Sequence, residues 1–431
     1  MSQKLLLILF LALILRLISL NQSLWLDEGI QWWAVTTFPL KHLITEYIKG
    51  DFNPPLFHIM LYFWVKLFGD SEIALRLPSV LFGLGTVWFT YKLGGLKAAL
   101  LAATAPLLIY YSQEARMYSL TAFTATATLY FFIKKSKLYI LTAILMLYSH
   151  YLTWLLIPVL LSLPTLLVLL SLLPWLPILL SQLNQGLDAA TNPAWAQLSN
   201  LSIKNVLLVP IKFLIGRLPV ETNLFYAALL FLPLCLVAYL LFKAKNKFLS
   251  AWLFTPLILG ALISLKIPVF SYFRFLFVLP AFYLLLTQGI NRLPKHLRSY
   301  TFILFLLINL ATSGLYLLNS NFHRENWRDA VAYIHATDPN SQVLIISAIH
   351  SPFEYYDREQ SSHIHETDLN RLIGQSAFWY IPYAQPIFDP DDKIRRTLDQ
   401  LGFEAVSERH FRGVTVIYYQ NSQPRQYSMN Y

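Results

Sequence analysis

The chain has 431 residues, 56% of them hydrophobic and 13% charged, with a mean hydropathy of +0.50. Soluble domains carry about 25% charged residues, so a soluble globular protein is excluded. The formal net charge of +10 sits largely in short clusters between apolar runs; that pattern sets membrane topology and does not read as a nucleic-acid stripe, so no nucleic-acid partner is expected.

The first apolar run resembles a secretion signal, but Arg16 interrupts it and ISLNQS offers no small-x-small cleavage site, so it reads as an uncleaved first helix. A spanning helix needs about 20 apolar residues. Spans are expected near Leu5–Leu20, Ile73–Tyr91, Ala98–Tyr111, Tyr118–Ile133, Leu138–His150, Leu152–Leu163, Thr165–Leu183, Leu224–Phe242, Phe248–Leu265, Phe275–Ile290 and Thr301–Leu318. That makes about eleven, several of them short by the length rule. Between Leu138 and Leu183 the prolines at 158, 164, 174 and 177 leave the boundaries open, since proline can end a helix or kink it. Basic clusters at Lys4, Lys92/Lys97, Lys134/Lys135/Lys137, Lys243/Lys245/Lys247 and Arg292/Lys295/Arg298 fall on one side of these spans. The positive-inside rule makes that side the cytoplasm, with the N-terminus inside and the C-terminus outside an inner (cell) membrane. The lone Cys235 excludes a disulfide within the chain.

Two outer pieces stand out. Residues 21–72 are too long for a connector. EGIQWWAVTTF and KHLITEYIKG read as helices lying in the interface, with Trp25, Trp32 and Trp33 as anchors at headgroup depth. Pro54 and Pro55 separate them from the apolar LFHIMLYFWVKLFG. Residues 321–431 read as a small α/β domain: NWRDAVAYIHA has helical spacing, QVLIISAI is a buried-type strand and GVTVIYY alternates as a strand. DPDDKIRRTLDQLG starts a helix with Asp389 as N-cap and Pro390 at its first position. The expected fold class is an α-helical polytopic membrane protein with a small C-terminal extracytoplasmic α/β domain, divided into a transmembrane domain (1–320) and that outer domain (321–431).

Ionisable residues at a membrane surface are costly and point to function. Here Asp27, Glu28, Asp51, Arg76, Glu114, Arg116 and Arg274, with the polar Asn53 and Tyr272, gather on the outer side. Arginines there run against the positive-inside bias. Carboxylates with arginines at headgroup depth suit the transfer of a sugar from a lipid phosphate. Arginine offers phosphate a planar fork of donors, a phosphate leaves without a strong general acid, and one carboxylate suffices to deprotonate an incoming hydroxyl. Plainer readings stand beside these. Asp27 can cap a helix beginning at Glu28, and Glu28 can orient neighbours. Arg116 and Arg274 can snorkel to headgroups, and Arg16 can snorkel outward or pair with Asp27. Arg76 reads as a structural partner of Glu72, and His58 and His150 as satisfied helix histidines.

LWLDEGIQWW, DFNPPLFHIMLYFWVKLFGDSEIALRLPS, YYSQEARMYSL and VFSYFRFLFVLP resemble the membrane glycosyltransferases of the C superfamily. The bacterial branch related to protein O-mannosyltransferases and to the aminoarabinose transferase of lipid A is the nearest in pattern. The resemblance implies a polyprenyl-phosphate-linked sugar donor, an inverting transfer at the outer face, and a catalytic acid in the first outer loop, which matches Asp27, with Glu28 completing the pair. Arg116 and Arg274 are then the donor-phosphate ligands, with Tyr118, Tyr272 and Asn53 as donor-binding helpers. Some members hold a divalent ion between the first-loop acid and an acid of the second outer loop, where Glu114 stands; the sequence commits to no metal ligand and no other cofactor. The acceptor is left as a lipid, a glycan or a protein. The rival class is a transporter or flippase of envelope lipids, but no internal repeat supports it.

Overall fold

The computed structural model describes residues 2–189, 199–219, 224–358 and 363–421. Contacts divide the chain into two compact units, Met1–Leu20 with Phe38–Phe322, and Asn21–Thr37 with His323–Tyr431.

The first unit is helical. Among the described residues, four helices are long and apolar enough to cross a membrane: Glu72–Thr104, Leu163–Leu187, Tyr272–Asn291 and Lys295–Leu318. Shorter apolar helices include Leu56–Phe68, Tyr118–Ile133, Leu138–Leu147 and Lys247–Ile263. Large apolar side chains stand outward on this unit, with Leu163 and Leu318 each 80% exposed and Ile203 and Phe242 each 82%. Water would not tolerate so much exposed apolar surface, and a bilayer does. The unit is a polytopic membrane bundle.

Sequence chemistry explains where these helices begin and end. The Ser71 hydroxyl accepts from the Ala74 N–H and starts Glu72–Thr104. The expected spans 73–91 and 98–111 meet inside it at Gly95, whose φ of +75° breaks the helical path. Pro106 then opens Pro106–Ser112 at a first-turn position that needs no N–H. The stretch 152–163, expected as a span, is a 3₁₀ segment over Tyr151–Val159 with Pro158, which lacks a backbone N–H, inside it. The sequence reading left out the helix Ile203–Ile215, which Ser202 caps and Gly216 ends.

Buried arginines close the bundle's interior. Arg16 is fully buried, its Nε donating to Ser112 Oγ at 3.1 Å and its Nη1 to the carbonyls of Ala12 and Ala103. It neither snorkels nor pairs with Asp27; three hydrogen bonds from Nε and Nη1 offset the cost of burying the guanidinium, while its Nη2 has no partner among the described residues. Gly83 makes room for it, because a Cβ there would meet Ser112 Oγ at 2.2 Å and Arg16 Nε at 2.7 Å. Gln113 Nε2 donates to the carbonyls of Arg16 and Ile18, and Arg76 Nη1 to that of Leu20. The carbonyls orphaned at the end of the first helix are thereby satisfied.

The second unit is a five-stranded sheet with helices. Its strands are β1 (Val343–Ile345), β2 (His363–His365), β3 (Ala377–Ile381), β4 (Phe403–Phe411) and β5 (Val414–Asn421), in the order β2-β1-β3-β5-β4. β1 runs parallel to β2 and β3, and β5 runs antiparallel to β3 and β4. Helix Trp327–Thr337 covers the core with Trp327, Val331 and Ile334. The helix expected from Asp389 begins later, at Lys393–Gln400, with Asp392 at its N-cap. Asp389 still serves it, since its carboxylate accepts from the N–H groups of Lys393 and Ile394 at 2.8 and 3.0 Å.

Helix Leu26–Thr37 packs in this second unit. Trp32 meets Tyr355 edge-on at 5.0 Å, Trp33 meets His350 at 5.1 Å, and the Arg358 guanidinium stands over Trp32. Trp32 and Trp33, expected as headgroup anchors, both find protein partners for their rings.

Candidate active site

The first unit gathers most of the sequence-predicted donor-binding residues in one electrostatic cluster. The turn before Pro54–Pro55 is held from several sides. Gln182 Nε2 donates to the carbonyls of Ile48, Asp51 and Asn53. Pro55 is the N-cap of Leu56–Phe68, and the Leu56 N–H donates to the Tyr148 carbonyl at 3.2 Å. Asp51 is largely enclosed in this turn. Its Oδ1 accepts from Asn53 Nδ2 at 2.7 Å, and its Oδ2 lies 3.2 Å from His58 Nε2. Burial pushes the Asp51 carboxyl up. The hydrogen bond and charge of His58, the charge of Arg116 and the Asn53 amide outweigh it and hold the carboxyl down at about 2. Asn53 thus acts by holding Asp51.

Arg116 lies in the buried turn between Pro106–Ser112 and Tyr118–Ile133, which Ser79 braces by donating to its carbonyl at 3.4 Å. Tyr118 opens the next helix. Its ring stands 4.9 Å from Tyr111, 5.6 Å from Phe273 and 6.2 Å from His150. The charges of Arg274, Arg116 and Asp51 all act on His150, whose Nδ1 accepts from the Leu152 N–H. Arg274 stands over the Phe273 ring at 5.8 Å and its Nη1 donates to the Pro268 carbonyl at 3.1 Å. Tyr272 meets Phe273 edge-on at 5.5 Å.

A second group adjoins through Tyr111 and Tyr272. Arg217 stands over the Tyr110 ring at 5.1 Å and interacts electrostatically with Tyr111, Tyr272 and Glu114. Lys212 stands 5.8 Å over Tyr272. The Tyr111 hydroxyl is buried with no hydrogen-bond partner among the described residues. Cations set among phenol rings and closed by one carboxylate can bind an anionic headgroup and lay a sugar against aromatic faces.

Asp27 and Glu28 lie in the second unit, in the first turn of Leu26–Thr37, where a carboxylate meets the positive end of the helix dipole. Asp27 does not cap a helix starting at Glu28, because the helix already includes Leu26. Glu28 is fully buried and Asp27 half-buried.

His58 and His150, expected as satisfied helix histidines, belong to this cluster, and the sequence did not single out Lys212 or Arg217. A local signal was available only for His58, which follows its partner Asp51 by seven positions across the Asn53-Pro54-Pro55 turn; nothing local marks the others. Glu114, the residue matched to a metal ligand in some glycosyltransferases, has Arg217 and tyrosines as electrostatic neighbours. Among the described residues no three His, Cys, Asp or Glu side chains group so as to hold a metal ion.

No family model matches the chain, and no curated protein matches its sequence. Solved structures do match its fold. ArnT from Cupriavidus metallidurans bound to undecaprenyl phosphate superposes with a TM-score of 0.54 at 13% identity, covering 96% of this chain and 97% of that one. The apo state of the same protein gives 0.51 at 14% identity with the same coverage. The chain therefore has, along nearly its full length, the fold of ArnT, an aminoarabinose transferase among the C-superfamily membrane glycosyltransferases.

Proposed function

We propose that this membrane protein transfers a sugar from a polyprenyl-phosphate donor to an acceptor hydroxyl at the outer face, with inversion at the anomeric carbon. The observation that carries the reading is the cluster of Arg116, Arg274, Asp51 and Tyr118 around His150, in a fold shared with a protein whose structure was solved bound to undecaprenyl phosphate. Arg116 and Arg274 hold the donor phosphate, Tyr118 and Tyr272 flank it, and Asn53 acts through Asp51. The acceptor oxygen attacks the anomeric carbon. The bond from that carbon to the phosphate oxygen breaks, the lipid phosphate leaves with the electron pair, and the arginines stabilise its growing charge. The acceptor's proton goes to Asp27, assigned as base on its sequence motif, with Glu28 completing the acidic pair. The N-terminus is assigned to the cytoplasm and the C-terminal domain to the outside, on the basic clusters.

The test uses polyprenyl-phosphate sugars extracted from radiolabelled envelope membranes and the purified protein in lipid vesicles containing envelope acceptors. Label should move from the lipid donor into a new glycosidic bond. Asp27→Asn keeps the side chain's shape but takes no proton at neutral pH, so transfer should fall by about 10²–10⁴-fold with folding unchanged. Label crossing the vesicle without bond formation would make the protein a transporter. Full transfer by Asp27→Asn would remove Asp27 from the mechanism.

A further inference from the structure

Glu325 is a half-buried carboxylate that the proposed mechanism does not use. It precedes the helix Trp327–Thr337 in the second unit. Its Oε1 accepts from the Tyr383 hydroxyl at 2.6 Å. Its Oε2 accepts from the Trp327 indole N–H at 3.0 Å and from the Leu26 backbone N–H at 3.3 Å. The last contact reaches the first residue of the helix that carries Asp27, where the backbone N–H groups have no partner within the helix. The surroundings are built for it. Gly413, with φ +74°, sits where a Cβ would meet Glu325 Cγ at 2.6 Å, and the Tyr383 and Trp327 rings pack 5.1 Å apart. The Asn326 N–H donates to the Arg412 carbonyl, and Arg412 Nε donates to the Arg324 carbonyl, fixing the segment on both sides of Glu325.

Three donors converge on one carboxylate, which is the arrangement that suits its ionised form. Burial works the other way and raises the Glu325 pKa, and the charge of Asp27 adds to that rise. The titratable groups that meet Glu325 are Tyr383 and Asp27, with Arg324 and Arg412 alongside in the chain and at the β4–β5 turn. Repulsion between two carboxylates is mutual, so each makes the other a better proton acceptor.

We infer that Glu325 is the positioning residue for Asp27: its carboxylate fixes the first turn of Leu26–Thr37 through the Leu26 N–H and places a negative charge beside the base. The inference rests on Asp27 being that base. Glu325→Gln tests it, because the amide oxygen can still accept from Leu26 and Trp327 while the charge is lost. With the radiolabelled polyprenyl-phosphate sugars and the full-length protein, kcat/KM should rise with pH along an acidic limb set by Asp27. In Glu325→Gln that limb should move to lower pH by about half a unit to one unit. Tyr383→Phe should move it in the same direction by less, since losing the hydroxyl donor makes Glu325 easier to protonate; this variant carries the test where Glu325→Gln does not fold. Glu325→Asp should bring the limb back while kcat stays low. A limb that stays at the wild-type position in Glu325→Gln and Tyr383→Phe, however far the rate falls, overturns the inference while leaving Asp27 as base. An active Asp27→Asn overturns both.

Discussion

Asp51→Asn is the perturbation whose size follows most directly from the structure. The Asp51 side chain is 12% exposed and meets Asn53 and His58 at 2.7 and 3.2 Å. Burial alone would raise its pKa, and the contacts with His58, Arg116 and Asn53 bring it from 3.8 down to about 2. At roughly 1.4 kcal/mol per pKa unit that fall is worth on the order of 2 kcal/mol of stability. The sign follows from the direction. A carboxyl with a depressed folded pKa contributes its stabilisation in full above the unfolded value of 3.8 and loses it as pH falls toward about 2. Asparagine cannot ionise, so the variant lacks this pH-dependent contribution. Thermal unfolding in detergent, followed by tryptophan fluorescence, should show Asp51→Asn melting below the wild type at about pH 6. The gap should hold down to about pH 4 and close between about pH 4 and pH 2. A gap of constant size across that window would refute the ion-pair account and leave Asp51 as a packing residue. Glu46, which pairs with Lys49 at 2.9 Å in full view of solvent, serves as the control: Glu46→Gln should change little.

Two further predictions concern the donor and the topology. Arg116→Ala or Arg274→Ala should weaken donor use by about tenfold or more, because a lost charge-assisted contact costs about 1.5–3 kcal/mol. Lysine should rescue only in part, having a point charge in place of a fork; unchanged donor kinetics in folded alanine variants would reduce both arginines to headgroup contacts. With Cys235 replaced by alanine, cysteines at the exposed Thr37 and Ser407 should react with an impermeant thiol reagent in intact cells, and one at Lys135 only after lysis. Labelling of Lys135→Cys before lysis would invert the topology.

Much of the architecture can be read along the chain because it depends on local chemistry. Tyr118–Ile133 begins and ends where its apolar run does, and the helix at Trp327–Thr337 follows its spacing and the Asn326 cap. The strand at Val414–Asn421 follows its alternation. Arg116 and Arg274 could be named as candidates because charge is rare in this chain and therefore conspicuous, and Tyr118 and Tyr272 because they stand two residues from those arginines in the same motifs. Ile203–Ile215 and the short strands β2 and β3 escaped because their runs are brief or broken by proline, where periodicity gives no signal.

What the tertiary structure alone decided is which of these residues share a field. Asp51 lies 65 positions from Arg116, yet its carboxylate feels that charge, and His150 feels Arg116, Arg274 and Asp51 together. Arg16 reads in sequence as an interrupted apolar run, and only the packed bundle supplies Ser112 and the Ala103 carbonyl that let it stay buried. The helix carrying Asp27 follows the first span in sequence but packs with residues three hundred positions on, where Glu325 takes the Leu26 N–H. Hydropathy and periodicity depend on neighbours within a few residues. The Coulomb and hydrogen-bond terms that shape a site depend on distances in space, and long-range packing sets those distances.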